Sequence, residues 1–351
     1  MDIRNVLRTM SEGSGVSGHE DSVADIISEA CPWADEIRRD ALGNLIMFKK
    51  GTGAKPRPKI MLAAHMDEIG LILTKIEDDG FARFSTIGGF DQRVLVAQEV
   101  LIHGTKTVPG VIGAKPPHVQ EPEERTKSVP LDEMFIDCGY TSKEAAEVHL
   151  SVGDLVTLRR SCLDLQGQFM AGKAMDDRAS VAAVLECFQH LANMSHTADI
   201  YAVATVQEEV GLRGAITSAY GIMPDLAIAI DVTFGDMPGL ADSETIKLGG
   251  GPGIGVGPHV HPQLFTALSK TAKEWNIPFS VDPSPSPGGT DTFAIQVARA
   301  GVPTILLSIP LRYMHTPVET LTYSDVAAAG RLMAVFTASV EAEFVEGLLC
   351  Y

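Results

Sequence analysis

Apolar runs of strand length alternate with segments of helical periodicity over much of the chain. The run IYAVATV, residues 200–206, is apolar and rich in β-branched residues, with polar residues only at its flanks. This texture is typical of a strand buried on both faces of a parallel sheet. Further apolar runs at residues 59–65, 226–230, 279–281 and 304–309 predict more strands.

Helical periodicity predicts the helices that separate these runs. They cover residues 22–30, 177–193, 212–219, 262–275, 290–300 and 324–344. Strands and helices that alternate in this way pack as a sheet between layers of helices. The predicted fold class is therefore α/β, a sheet sandwiched between helices. The glycine-rich stretch at residues 249–257 lacks the lysine of a phosphate-binding loop and is expected to be an ordinary loop.

The pattern changes between residues 70 and 168. Short alternating segments such as LILTKI, FARFST and EVLIHG are separated there by glycines, prolines and charge clusters, with one short predicted helix at residues 142–149. Such spacing predicts a small antiparallel barrel or sandwich. Because helical periodicity returns at residue 177, we expect this β domain, residues 70–168, to be inserted into an α/β domain made of residues 1–69 and 169–351.

Charge and cysteine content narrow the function. The chain of 351 residues carries a formal charge of −17, which argues against nucleic acid and anionic membranes as partners. No apolar run approaches the ~20 residues of a spanning helix, and the start MDIRNVLRTMSEGSG lacks the apolar core of a signal peptide. The five cysteines are scattered and form no CxxC pair, so we expect reduced thiols in a cytoplasmic protein.

Histidines and carboxylates occur just beyond the ends of the predicted strands. They are His65, Asp67, Asp176, Glu208, Glu209, Asp231 and His315. Because open α/β sheets bind ligands at the carboxyl ends of their strands, we expect these side chains to converge. Two histidines and several carboxylates without cysteine suit zinc, cobalt or manganese, and the number of ligands favours two ions over one.

Eight motifs, in order along the chain, carry a resemblance to a known family. They are SGVSGHED, AAHMDEIG, GVIGAKPPH, GKAMDDRAS, VQEEVGLRGA, AIDVT, GGTDTFAI and RYMHTPVE. Together they resemble the tetrahedral aminopeptidases, also called the glutamyl-aminopeptidase and cellulase-M family of metallopeptidases, over essentially the whole chain. The resemblance implies a zinc-peptidase-like catalytic domain and an inserted β domain that serves oligomerisation.

The resemblance also implies a ligand set for two divalent metal ions per subunit, zinc or cobalt ahead of manganese. His65 and Asp231 would bind one ion, Glu209 and His315 the other, and Asp176 would bridge both. Related two-metal peptidases have a cis peptide bond after the bridging aspartate, so the resemblance implies one between Asp176 and Asp177.

The remaining site residues have catalytic or substrate-related roles under the same resemblance. Glu208 would be the general base, and Asp67 would hold His65 from behind. His118, in the inserted domain, would approach the active site of a neighbouring subunit. Asp291 would shape substrate selectivity or cap the helix that begins there. The family habit of assembling dimers into a dodecamer makes a homo-oligomer the expected state.

The predicted function is metal-dependent removal of the N-terminal residue of short peptides, with a water activated by two metals. Two alternatives stay open: hydrolysis of N-acyl amino acids or related amides by the same type of site, and a non-catalytic, metal-stabilised scaffold that binds peptides. The cellulase label is discounted, because glycosidases use paired carboxylates and need no metal bound by histidine.

Overall fold

A computed structural model describes residues 1–123, 125–285 and 288–348 of the chain. The described strands are β1 (Glu36–Arg39), β2 (Leu45–Lys49), β3 (Lys59–His65), β4 (Gly70–Ile76), β5 (Ala82–Ile87), β6 (Glu99–His103), β7 (Thr107–Gly113), β8 (Phe135–Asp137), β9 (Leu155–Leu158), β10 (Leu163–Asp164), β11 (Phe169–Gly172), β12 (Asp199–Thr205), β13 (Leu226–Phe234), β14 (Gly253–Val256), β15 (Ser280–Pro283), β16 (Thr304–Leu311) and β17 (Glu319–Thr322). The helices are α1 (Ile3–Glu12), α2 (Asp21–Glu29), α3 (Lys143–Glu147), α4 (Met175–Leu191), α5 (Arg213–Ile222), α6 (Pro262–Glu274), α7 (Asp291–Gln296), α8 (Tyr323–Ser339) and α9 (Ala342–Glu346).

An eight-stranded sheet forms the body of the molecule. Its strand order is β1-β2-β12-β3-β13-β16-β14-β15, and the central strands β12, β3, β13 and β16 are parallel. Helices α4 and α8 pack on one another and on the sheet, while α5 and α7 form a second pair against the same strands. The predicted sheet between helices is confirmed, and its four central strands point their carboxyl ends to one edge.

A closed six-stranded barrel lies between β3 and the return of the chain to the body. Its strands follow the order β4-β5-β8-β7-β6-β9, and buried side chains such as Leu71, Val100 and Ile136 form a core of its own. Of the two predicted arrangements, barrel or sandwich, the chain forms the barrel. Its last strand ends at Leu158, because β10 pairs instead with β11 in a separate sheet that β17 completes.

Several predicted boundaries differ from the observed ones for tertiary reasons. The helix predicted over residues 324–344 is broken, because Val340 takes an extended backbone and turns its side chain into the core. The predicted loop at residues 249–257 contains β14, where Gly255 lets the strand approach Leu306 of β16. Helix α7 ends before residue 300, since Val302 donates a backbone hydrogen bond back to Gln296.

Two further expectations concern cysteines and membranes. Cys31, Cys138, Cys162 and Cys187 are free thiols, and Cys350 lies outside the described residues. Among the helices of the described ranges, none combines the length and the apolar character needed to cross a bilayer.

The close contact between α4 and α8 generates a stability prediction. A Cβ atom on Gly330 of α8 would lie 2.6 Å from the carbonyl oxygen of Ala183 and 2.4 Å from Cβ of Glu186, both on α4. Gly330→Ala should therefore force the helices apart and lower the free energy of unfolding by roughly 1–3 kcal/mol. Denaturant unfolding measures this change.

Gly221→Ala is the matched control. Gly221 lies in the last turn of α5 with no atom within 4 Å of a Cβ at that position. Alanine there should leave stability unchanged or raise it by up to about 1 kcal/mol. Equal effects of the two substitutions would contradict the tight α4–α8 contact.

Candidate metal centre

The shared edge of the parallel strands brings the predicted ligands together. His65 is the last residue of β3, and Asp231 lies in the carboxyl-terminal half of β13. Glu208 and Glu209 follow β12, and His315 follows β16. Asp176 joins them from the start of α4, where the backbone is not yet helical.

The carboxylate of Asp176 lies between the two histidines. Its Oδ1 is 3.1 Å from Nε2 of His65, and its Oδ2 is 3.3 Å from Nε2 of His315. His315 Nε2 is also 3.5 Å from Oε1 of Glu209. One carboxylate thus faces an imidazole with each of its oxygens, which is the arrangement that a bridge between two cations requires.

Asp67 determines which nitrogen of His65 faces this cluster. His65 Nδ1 is 3.2 Å from the carbonyl oxygen of Asp67 and 3.4 Å from its Oδ1. When Nδ1 donates, Nε2 is the ring nitrogen left to ligate a cation, and it faces Oδ1 of Asp176 and lies 3.9 Å from Oε2 of Glu208. A histidine that ligates a metal is commonly oriented by such a partner.

Glu319 has a role that the sequence reasoning missed. Its side chain is 2% exposed, Oε2 accepts the backbone N–H of Asp176 at 3.1 Å, and Oε1 accepts that of His315 at 2.8 Å. One carboxylate therefore fixes the backbone of two residues that face the cluster. The motif RYMHTPVE contains Glu319, but nothing in its spacing indicates this pairing.

Asp177 was also missed as a side chain that faces the centre. Its carboxylate, His65 and Asp231 form a group whose potential ligand atoms lie within 4.8 Å of one another. Oδ2 accepts the backbone N–H of His65 at 3.3 Å, whereas the buried Oδ1 has no hydrogen-bond partner. The peptide bond between Asp176 and Asp177 is cis, so that prediction is confirmed.

Three acids of the centre resist ionisation, whereas hydrogen bonds with His315 and His65 hold the pKa of Asp176 below its usual range. Burial, together with the charge of Asp176, raises the pKa of Glu209 to about 7, and burial raises that of Asp231 to about 8. Burial also raises the pKa of Glu208 above its ordinary range. The hydrogen bond with Asp176 raises the pKa of His315 to about 9. Such shifts mark a shortage of positive charge, which a divalent cation would supply.

Unlike the acids of the centre, Glu68 is paired with two cationic side chains of its own. Lys173 Nζ is 2.6 Å from one of its carboxylate oxygens, and Arg178 Nη2 is 3.1 Å from the other. All three side chains are buried. Lys173 and Arg178 are therefore paired with Glu68 and do not neutralise the acids of the centre.

The residues present fit divalent metal ions. Within the described residues, three groups offer ligand atoms that lie within 4.8 Å of one another: His65 with Asp177 and Asp231, His65 with Glu208 and Glu209, and Asp176 with Glu209 and His315. These donors are imidazole nitrogens and carboxylate oxygens without thiolates, a set that suits zinc, cobalt or manganese.

Neither of the two predicted substrate residues belongs to these three groups, although the charge of Asp291 acts on Glu208 and Asp231. His118 lies in the exposed turn Pro117–Val119 of the barrel, in none of the metal-competent groups among the described residues. Asp291 is 3% exposed and accepts the hydroxyl of Thr205 at 2.6 Å, while its Oδ1 has no partner. Its side chain does not cap α7, so the capping alternative is wrong.

Comparison with known proteins covers nearly the whole chain. The family model of M42 glutamyl aminopeptidase matches residues 43–332. The lysyl aminopeptidase of Pyrococcus furiosus is 39% identical over 329 residues, 92% of each protein. The TET aminopeptidase of Thaumarchaeota archaeon SCGC AB-539-E09, from marine sediment, superimposes with a TM-score of 0.93 at 36% identity over 99% of both chains.

A second similar structure is that of a protein that assembles into large shells. The TET1 peptidase of Pyrococcus horikoshii, which can assemble into a tetrahedron or a large octahedral shell, superimposes with a TM-score of 0.86 at 31% identity. The match covers 97% of this chain and 100% of that one. The superposition therefore includes both the sheet and the barrel.

The raised pKa values predict how stability responds to pH in metal-free protein. Glu209 and Asp231 have pKa values near 7 and 8 in the folded chain, against about 4 in an unfolded one. The folded state then binds more protons, so the free energy of unfolding should fall as pH rises from about 5 to 7.5. The raised pKa of His315 acts in the same direction.

Thermal melting of chelator-treated protein across this pH range measures the effect. Added Zn²⁺ or Co²⁺ should raise the melting temperature more at the upper end of the range than at the lower end. Asp231→Asn should flatten the pH response of the metal-free protein. A melting temperature that rises steadily with pH without metal would contradict the charge shortage.

Proposed function

The chain belongs to the family of M42 glutamyl aminopeptidases, and from that premise we propose that it removes the N-terminal residue of short peptides with the help of two divalent metal ions. The family resemblance of its motifs is confirmed by the same comparison. An aminopeptidase activity follows from the family, while the two-metal site and its residue roles are proposed from the geometry.

The position of Asp176 between His65 and His315 is the observation that carries this proposal. The buried carboxylate lies within 3.1 and 3.3 Å of two imidazole nitrogens, whereas ionisable side chains are rare in an ordinary core. We assign His65 and Asp231 to one ion, Glu209 and His315 to the other, and Asp176 to both. Cobalt or zinc is the proposed metal, with manganese as the alternative.

Cations bound there would polarise the scissile carbonyl and lower the pKa of a water molecule. Glu208 then acts as general base: it accepts a proton from the attacking water and delivers one to the leaving amine. Burial raises the pKa of Glu208 to about 10 in the metal-free chain, and cations nearby would lower it, so that the ionised carboxylate can accept a proton. Asp67 keeps Nε2 of His65 turned towards the metal by accepting from Nδ1.

Selectivity for a free amino terminus is assigned to a carboxylate outside the proposed ligand set. The ligand carboxylates would be neutralised by the bound ions, whereas the buried Asp291 would remain available to an α-ammonium group. Asp291, with one buried oxygen that has no partner, is proposed to contribute to substrate selectivity. His118 is proposed to reach the site of a neighbouring subunit from the exposed loop of the barrel.

Self-association completes the proposal. The barrel exposes Val111, Val119, Val148 and Val152, each at least 47% accessible, which leaves apolar side chains available for a contact between subunits. The tetrahedral shell of the Pyrococcus horikoshii relative supports a dodecamer, with the inserted β domain as the contact between subunits. The proposed compartment is the cytoplasm, which scattered free cysteines favour.

A substrate panel tests the function directly. Protein loaded with Co²⁺ or Zn²⁺ should hydrolyse aminoacyl-anilides and short peptides that have a free amino terminus, and should spare the same peptides after N-acetylation. Chelation should abolish turnover and added metal should restore it. Cleavage of N-acyl amino acids alone would favour the amide-hydrolase alternative, and metal binding without any turnover would favour the scaffold.

Substitution separates the roles of the two adjacent glutamates. Glu208→Gln should keep both metals and lower kcat by ~10²–10⁴-fold, because it removes the proton acceptor and spares the ligands. Glu209→Gln should instead reduce the bound metal by one ion per subunit. Elemental analysis combined with steady-state kinetics measures both. The reverse pattern would show that the two assignments are exchanged.

Light scattering tests the proposed assembly. The chain has a mass of 37.5 kDa, and light scattering of metal-replete protein should give a molar mass far above that of a dimer. A mass of one subunit across the accessible concentration range would contradict the oligomer and, with it, the role given to His118.

A further inference from the structure

The turn that presents Glu208, residues 206–209, is held in place by side chains that accept hydrogen bonds from its backbone amides. Asp67 accepts the N–H of Glu208 through Oδ1 at 3.0 Å and the N–H of Glu209 through Oδ2 at 3.3 Å. A turn whose amides point at fixed acceptors holds its side chains in defined positions. The position of the proposed base thus depends on what accepts these amides.

Two more acceptors hold the preceding amides. Asn44 Oδ1 accepts the N–H of Val206 at 3.0 Å, and Glu20 Oε1 accepts the N–H of Gln207 at 3.1 Å. Four consecutive amides are therefore each bonded to a side chain from elsewhere in the sequence. Glu20 supplies the bond immediately before the proposed base.

Gln207 needs this bond more than its neighbours do. Its φ angle is +55°, in the left-handed region that residues other than glycine rarely adopt. Such a backbone persists where the surroundings fix it. The N–H bond to Glu20 is the contact that fixes the amide of this residue.

The side chain of Glu20 is not explained by its place in the secondary structure. Glu20 occupies the N-cap position of α2, yet its carboxylate makes no capping hydrogen bond. It is 5% exposed, and Oε1 accepts from Gly18 at 2.7 Å as well as from Gln207. The carboxylate is therefore directed away from the helix and towards the turn.

We propose that Glu20 is a positioning residue for Glu208, which it places by holding the amide of Gln207. The inference rests on the proposed role of Glu208 as the general base. Without the carboxylate, Gln207 can leave its left-handed conformation, and the next residue moves with it. A displacement of about 1 Å at a reacting group is enough to reduce turnover strongly.

Three single variants test the role in the full-length, metal-loaded protein. Glu20→Ala removes the acceptor and should lower kcat by about 10–100-fold, with KM and metal content unchanged. Glu20→Gln keeps an oxygen that can accept both N–H groups, so it should recover most of that loss. Glu29→Ala, an exposed carboxylate on the same helix, should behave as the unaltered protein.

A double variant distinguishes positioning from a general structural role. If Glu20 acts through Glu208, Glu20→Ala should have little further effect on kcat in the Glu208→Gln background. A full additional loss in that background would overturn the proposal, as would Glu20→Ala with kcat within about twofold of the unaltered protein. A loss shared equally by Glu20→Ala and Glu20→Gln would overturn it too.

Crystal structures supply a readout that does not depend on activity. The Cα atom of Glu208 should be displaced in Glu20→Ala and unchanged in Glu20→Gln and Glu29→Ala. An undisplaced turn in Glu20→Ala would overturn the inference even if the enzyme is inactive. Conversely, unaltered protein that hydrolyses no peptide would refute the proposed function while this structural comparison still tests the placement of the turn.

Discussion

Buried carboxylates that share one small space require positive charge, and the centre of this molecule is organised around that constraint. Asp176, Glu209 and Asp231 meet two imidazoles at the edge of the sheet, while the nearby lysine and arginine are paired with Glu68. Without a cation, protons supply the missing charge, and the pKa values of Glu209 and Asp231 rise accordingly. Metal affinity, response to pH and stability are therefore linked in this fold.

Side chains that do not face the centre hold the backbone of those that do. Glu319 accepts the amides of Asp176 and His315, and Asp67 orients His65 as well as the turn that follows β12. Both acceptors are buried carboxyl groups that receive N–H groups. Donation from His65 also holds the pKa of Asp67 below its usual range, whereas burial and the charge of Asp176 hold that of Glu319 well above it. The geometry of the centre thus depends on hydrogen bonds that join the start of the chain, the strand ends and β17.

Local patterns in the sequence predicted the strands and the small barrel, because burial on both faces and alternation leave direct signs in residue order. They also predicted that polar residues after the strands meet, since parallel strands end at one edge. The partners of those residues were beyond prediction. Glu319 is 143 residues from Asp176, and Glu20 is 187 residues from Gln207. No spacing within one sequence encodes such pairs, and the same holds for Val340, which ends α8 by packing into the core.

Anomalous diffraction from crystals equilibrated with zinc tests the central claim most directly. The account predicts two peaks per subunit on either side of the Asp176 carboxylate. One peak should lie against His65 and Asp231, and the other against Glu209 and His315. A single peak away from Asp176, or zinc bound only at the protein surface, would contradict the two-metal centre on which the proposed chemistry depends.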